Sequence, residues 1–420
     1  MPHIVSYAPY SGSPSSTSSS IHSRSSHSHR SHHDSSIRHR SSSRRREVRP
    51  SAPDFRFCVE LGLVLRSREL NHKTTHELER EVSVQLTLAK VANAIASPTT
   101  SVATESSRQW TIASEHCIPS QPKDHRFGVK LVSPFMRFSA GRHESWIAKI
   151  STVMRTLNTH FEVTSSHQCF THVHIVPVTG YWKLQQVKSL AKSALYFERC
   201  LDELVPPYRR RSVWAKSNRN NKYFAHRSMT QCFDKVDRQP SAESVAERMN
   251  LCDAASPTGA SLRSVRAKND ENPALDFTHD TYRWNFLNLQ EGGGFGTVEY
   301  RQAPGSTTSQ EVMTWVMLVG CFARLSCQLG DSIKPADLPQ TESLGEWLMY
   351  EAQWCSLPYD DLLQNLLDQA TPTSLAAGKI PGMDADNITI DDDQRLRWKA
   401  GEHKYAIDKY HRMITHLLRD

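Results

Sequence analysis

The sequence predicts an α+β domain in which long helices cover one side of a single, largely antiparallel sheet. Three observations lead there. Strand-like segments recur at 55–65, 127–134, 171–178, 283–289 and 297–301, helical apolar spacing fills the intervals, and Gly292-Gly293-Gly294-Phe295-Gly296 parts the last two strands as a hairpin turn would. No internal repeat is present. At 38% hydrophobic and 23% charged, 420 residues suffice for one large domain or two ordinary ones, which excludes wholesale disorder.

The chain opens on a tail, residues 1–52. From Ser11 to Arg46 it is almost entirely Ser, His and Arg, and such a segment cannot bury enough apolar surface to offset the entropy of ordering. Disorder is the expectation. The tail carries eight Arg, no Lys and two acids, while the remaining 43 Lys and Arg face 42 Asp and Glu. The body is therefore nearly neutral, which excludes a globally basic nucleic-acid surface and leaves the tail only weak, salt-dependent contact. Arg44-Arg45-Arg46 can serve as a nuclear address, and the tail's seven histidines can bind metal adventitiously. A solvated tail is the simpler reading of both.

Order starts at Phe55. A strand at 55–65 contains Glu60, a helix follows over 72–96, and a loop spans Ser97–Ser107. Short strands come after Trp110, then an amphipathic helix at 144–161 with Trp146, Ile150, Val153 and Leu157 on one stripe. A strand at 171–178 leads to a helical pattern from Leu184 to Leu204, stopped by Pro206-Pro207. Residues 216–281 read as a variable insertion with one short helix near 241–251. The nearly all-apolar helix 309–329 must be buried, and 331–420 forms a helical extension interrupted by the acidic stretch Asp384–Asp393. The main domain is thus 53–330.

Nine scattered cysteines without CxxC spacing suggest reduced thiols. The N-terminus lacks a hydrophobic signal core, and the apolar run Val312–Ala323 is too short to span a bilayer. A cytoplasmic protein with no membrane partner is expected.

Several residues stand out chemically. His172-Val173-His174 puts two imidazoles on one face of a strand, where they can bind metal or phosphate, or simply hydrogen-bond at a strand edge. Glu299-Tyr300-Arg301 does the same with opposite charges, the arrangement of a cross-strand salt bridge as much as of a catalytic pair. Glu60 in an apolar strand demands a cation or donors, because an unpaired buried carboxylate is expensive. The glycine loop leads into a strand, so it lacks the helix N-terminus that phosphate cradles use.

Taken in order, Glu60 in its strand, Trp110–Ile118, Gly128–Pro134, Cys169–His174, Pro206–Ala215 and Asn288–Arg301 followed by Trp315 resemble the amidoligases, over roughly 55–330. These belong to the carboxylate-amine ligases of glutamine-synthetase-like fold. The resemblance implies an antiparallel sheet of that type whose concave face holds ATP and Mg²⁺. ATP phosphorylates a carboxylate, and an amine then attacks the acyl phosphate. By the same resemblance, Glu60, Glu115 and Glu299 are metal ligands, Arg211 and Arg301 meet the nucleotide phosphates, and His172, His174, Arg211, Glu299 and Arg301 act in catalysis; Lys130, which the family pattern does not supply, can bind nucleotide phosphate directly as a fixed cation. Small-molecule or peptide carboxylates and amines are the implied substrates.

Two positions depart from the family pattern: Gly62 replaces the second acid of a Glu-x-Glu pair, and Lys130 replaces a Glu before Ser133-Pro134. Less acid and a new ammonium weaken a cation site, so restoring Glu at both is expected to strengthen it. A catalytically inactive interaction or ligand-binding protein on the same fold is the alternative these departures favour. A metal hydrolase built on His172 and His174 is a second, without HExxH spacing to accompany it.

Overall fold

The computed structural model describes residues 52–96, 108–115, 117–139, 144–212, 214–221, 223–250, 282–290, 296–335, 339 and 341–370. The tail up to Ser51, the Ser97–Ser107 loop, most of the glycine loop and the stretch from Asp384 to Asp393 lie outside them.

Strand β1 (Phe55–Ser67) is the axis of a nine-stranded sheet. Its alternate residues Phe55, Phe57, Val59, Leu61, Leu63 and Leu65 are fully buried on one face, while Cys58, Glu60, Gly62 and Val64 point to the other. The order across the sheet is β2 (Asn93–Ile95), β3 (Trp110–Ser114), β4 (Phe127–Val132), β1, β7 (Phe170–Pro177), β9 (Val298–Tyr300) and β8 (Trp284–Asn285). Strands β5 (Met136–Phe138) and β6 (Phe161–Thr164) pair with the two ends of β1. Every pairing is antiparallel except that of β2 with β3. The result is a mixed α+β domain with a mostly antiparallel sheet.

Helices α1 (Thr75–Leu88), α2 (Glu144–His160) and α8 (Ser309–Leu329) pack against the apolar face, and α3 (Leu184–Tyr196) packs on α8. Trp146 of α2 sits edge-on to Phe57 at 5.4 Å, and Phe322 of α8 stacks on Trp284 at 5.2 Å. Gly320 lets α8 approach so closely that a Cβ there would lie 2.5 Å from the Phe138 ring. A capping box starts α8, with Thr308 Oγ1 accepting from Glu311 N and Glu311 Oε2 accepting from Thr308 N. By length and composition α8 could cross a membrane, yet it is buried over most of its length as the core helix of this domain.

Local departures from the expected elements have visible causes. The helix expected over 72–96 stops at Leu88; Lys90 turns left-handed (φ 61°), and Asn93–Ile95 become an edge strand parallel to β3. The helix expected over 184–204 breaks at Phe197 into α3 and α4 (Glu198–Glu203), and the Phe197 ring packs edge-on against Tyr196, Phe322 and Trp347. A short α5 follows at Pro207–Arg210. Between 216 and 250 there are two helices where one was expected, α6 (Met229–Asp237) and α7 (Ala242–Asn250); Ser228 and Gln231 cap the first reciprocally. Two helices complete the described chain, α9 (Thr341–Trp354) and α10 (Asp360–Asp368).

Candidate active site

The second face of the sheet is polar where its central strands meet. Antiparallel register pairs Glu60 with His172, Cys58 with His174, Gly62 with Lys130, His174 with Glu299, and Glu299 with Asn285. Directly paired residues share a face, so β4, β1, β7, β9 and β8 bring these side chains together. Glu115, just past β3, joins them: its backbone N–H donates to Gly128 O, continuing the ladder toward β4.

The polar side chains form a continuous cluster. Lys130 Nζ lies 3.8 Å from Glu60 Oε2 and 3.8 Å from Glu115 Oε2. His172 Nδ1 is 3.0 Å from Glu299 Oε1 and 3.7 Å from Glu60 Oε2, while His174 Nε2 is 3.6 Å from Glu60 Oε1 and from Glu299 Oε1. Arg301 Nη1 donates to Glu299 Oε1 at 2.7 Å, and Asn285 Nδ2 to Glu299 Oε2 at 3.0 Å. Glu60, His172 and Glu299 each offer a ligand atom, all within 4.8 Å of one another.

Burial raises the stakes for each charge. It pushes the Glu60 carboxyl upward, but Lys130 and then the two imidazoles outweigh it and hold the group well below the carboxylate range. Glu299 behaves alike, with Arg301 and His174 overcoming its burial. Burial and Arg301 lower His172, whereas Glu299 and Glu60 raise His174 against its burial. Burial pushes the Cys58 and Cys117 thiols up, so neither is activated as a nucleophile. The described cysteines are free, as their spacing led us to expect.

Of the residues nominated from the sequence, Glu60, Glu115, Lys130, His172, His174, Glu299 and Arg301 meet here. Arg211 does not join the contacts. It is exposed, and its side chain makes no hydrogen bond or ion pair among the described residues. The buried member of that Arg run is Arg209, whose Nε donates to Gln302 O at 3.0 Å and whose Nη2 donates to Arg301 O at 2.6 Å. On a one-turn helix, two residues separate the side facing the sheet from the side facing solvent, and a motif match cannot tell them apart.

Residues that sequence reasoning missed form the support. Arg301 N donates to Arg283 O at 2.8 Å, and the Arg283 guanidinium lies between Glu198 (2.9 Å) and Asp202 (3.0 Å). With two acids on one guanidinium, burial wins at Asp202 and raises its pKa to about 6. Phe170 was also overlooked. Its ring stacks on His172 at 4.0 Å and fills the space above Gly62, where a Cβ would lie 2.5 Å from it. At position 62 a glutamate has no room while Phe170 stays in place.

The family model described as "Putative amidoligase enzyme" matches residues 53–322, which include every residue of the cluster. The chain belongs to this amidoligase family. Among solved structures, a bifunctional glutathione synthetase from Pasteurella multocida matches at 12% identity with a TM-score of 0.34, over 87% of this chain and 52% of that one. The amidoligase chain thus spans about half the length of that synthetase. No curated protein matches the chain.

Proposed function

We propose that this cluster is the active site of an ATP-dependent carboxylate-amine ligase on a sheet of glutamine-synthetase-like type, acting on small-molecule or peptide substrates. The supporting observation is the meeting of three carboxylates, two imidazoles, an ammonium and a guanidinium on the polar face of the family-matched sheet. Glu60, His172 and Glu299 fit a divalent ion: they converge, and His172 Nδ1 and His174 Nε2 are buried without a hydrogen-bond partner. Such an ion, when bound, neutralises charge on nucleotide phosphate oxygens.

The chain's own residues do the rest. Arg301, held on Glu299 and anchored through its backbone by Arg209 and Arg283, presents its guanidinium to charge developing on the transferred phosphoryl group. A substrate carboxylate oxygen attacks the γ-phosphorus and ADP leaves. The amine nitrogen then attacks the acyl carbon, the bond to phosphate breaks, and the amine loses a proton. His174, between Glu60 and Glu299, is placed to hold that proton.

Hydroxylamine, as a small amine, tests this reading by trapping an acyl phosphate as a hydroxamate. A carboxylate panel should yield hydroxamate and ADP in equal amounts, and Arg301→Met should slow turnover by about a hundredfold. ADP-free, hydroxamate-free mixtures across the panel would instead favour a non-catalytic ligand-binding protein. That second reading draws on Lys130, which already occupies two of the three carboxylates.

A further inference from the structure

Three features of the polar face bear on which ion it takes. His172 Nδ1 is buried without a hydrogen bond, 3.0 Å from Glu299 Oε1 and 3.7 Å from Glu60 Oε2, and the ligand atoms of these three residues all lie within 4.8 Å of one another. Ligands about 2.1 Å from a shared ion stand about 3.0 Å apart in an octahedron and about 3.4 Å apart in a tetrahedron, so these spacings suit one ion. Lys130 shares Glu60 Oε2 with His172, and Arg301 shares Glu299 Oε1 with both imidazoles.

Charge then decides the class of ion. Before the imidazoles are counted, three carboxylates against one ammonium and one guanidinium leave a single negative charge. A hard ion such as Mg²⁺ depends on oxygen ligands and charge, and it gains little from such a site. An ion that also bonds imidazole nitrogen gains a further donor in His172. On the β1 side of Lys130 there is no room to add acid, since its register partner there is Gly62 and Phe170 covers that glycine.

We propose that Lys130 is a resident cation of this cluster. It limits the site to one divalent ion of the Co²⁺, Zn²⁺ or Fe²⁺ kind, seated on Glu60, His172 and Glu299, and it keeps out Mg²⁺ unless that ion arrives on nucleotide phosphates. The inference rests on the ligase reading only in treating the site as one for nucleotide. Ion binding is measured without ATP, so either can fail while the other stands.

Full-length protein freed of metal is titrated calorimetrically with Co²⁺ and separately with Mg²⁺, beside a His172→Gln variant. Tail histidines contribute equally to both chains, so the expected result is one more Co²⁺ per native chain, with no Mg²⁺ binding at millimolar concentration. Lys130→Gln should gain Mg²⁺ binding at least tenfold tighter than the native chain. Because that change leaves Glu60 and Glu115 without their shared cation, Lys130→Gln with Glu115→Gln is measured too. The double variant restores the charge balance and should exclude Mg²⁺ again while retaining the one Co²⁺. Submillimolar Mg²⁺ binding by the native chain, equal Co²⁺ uptake by native and His172→Gln, or unchanged Mg²⁺ affinity in Lys130→Gln overturns the inference. If Lys130→Gln does not fold, tight Mg²⁺ binding by the double variant overturns it.

Discussion

Adding one methyl group at position 62 probes how firmly the polar face is packed. Gly62→Ala places a Cβ 2.5 Å from Phe170 Cε1 and 2.8 Å from two more ring atoms, well inside contact distance. The ring cannot swing aside freely, because it lies stacked on His172 at 4.0 Å and is nearly buried. Overpacking of this kind costs about 1–3 kcal/mol. With a urea slope of about 3 kcal/mol/M, a loss of 2 kcal/mol moves the unfolding midpoint down by about 0.7 M. Shifting Phe170 also moves the His172 imidazole of the proposed ion site, so divalent-ion affinity should drop by about tenfold or more. Phe170→Leu removes the obstructing ring atoms, and Gly62→Ala in that background should cost at least 1 kcal/mol less than in the native one, a coupling of the size seen between contacting residues, about 0.5–3 kcal/mol. The assay is a double-mutant cycle by urea denaturation. If Gly62→Ala falls within about 0.5 kcal/mol of its parent in both backgrounds, the ring yields easily and the packing argument is refuted.

Two further perturbations test the support around the site. Asp202, raised to about 6, binds a proton more readily folded than unfolded, so its stabilising contribution is full below the ordinary carboxylate range and is lost as pH rises through 6. Relative to Asp202→Asn, the native chain should therefore lose about 2 kcal/mol of stability between pH 4 and pH 7, and parallel stability curves would contradict this. Arg324 of α8 donates to Glu351 at 2.6 Å and to Pro53 O at 3.1 Å, fastening α9 and the entry to β1 onto the core helix. Arg324→Met strands a buried carboxylate and should cost about 3–5 kcal/mol by thermal or urea unfolding, against near-neutrality if the pair is dispensable.

Much of the fold was legible in the residues themselves. Two-residue alternation in Phe55–Leu65 and the long apolar run of Ser309–Leu329 reflect burial on one side and on all sides, and burial is what composition encodes. The same alternation announced that His172 with His174, and Glu299 with Arg301, share a face. The break at Phe197 and the short strand Asn93–Ile95 were not legible, because the first is a slight turn (φ −89°, ψ 7°) between two helices and the second is three residues whose backbone is settled by pairing with β3. Arg209 rather than Arg211 turned out to be the buried arginine, a matter of which side of one helical turn meets the sheet. What only the tertiary structure decided is the company each charge keeps. Register between strands far apart in sequence sets Lys130 against Glu60 and Glu115, seats Phe170 over Gly62, and brings two buried imidazoles between Glu60 and Glu299. A chain can state which groups it carries, but pairing across strands depends on a sheet that exists only after folding.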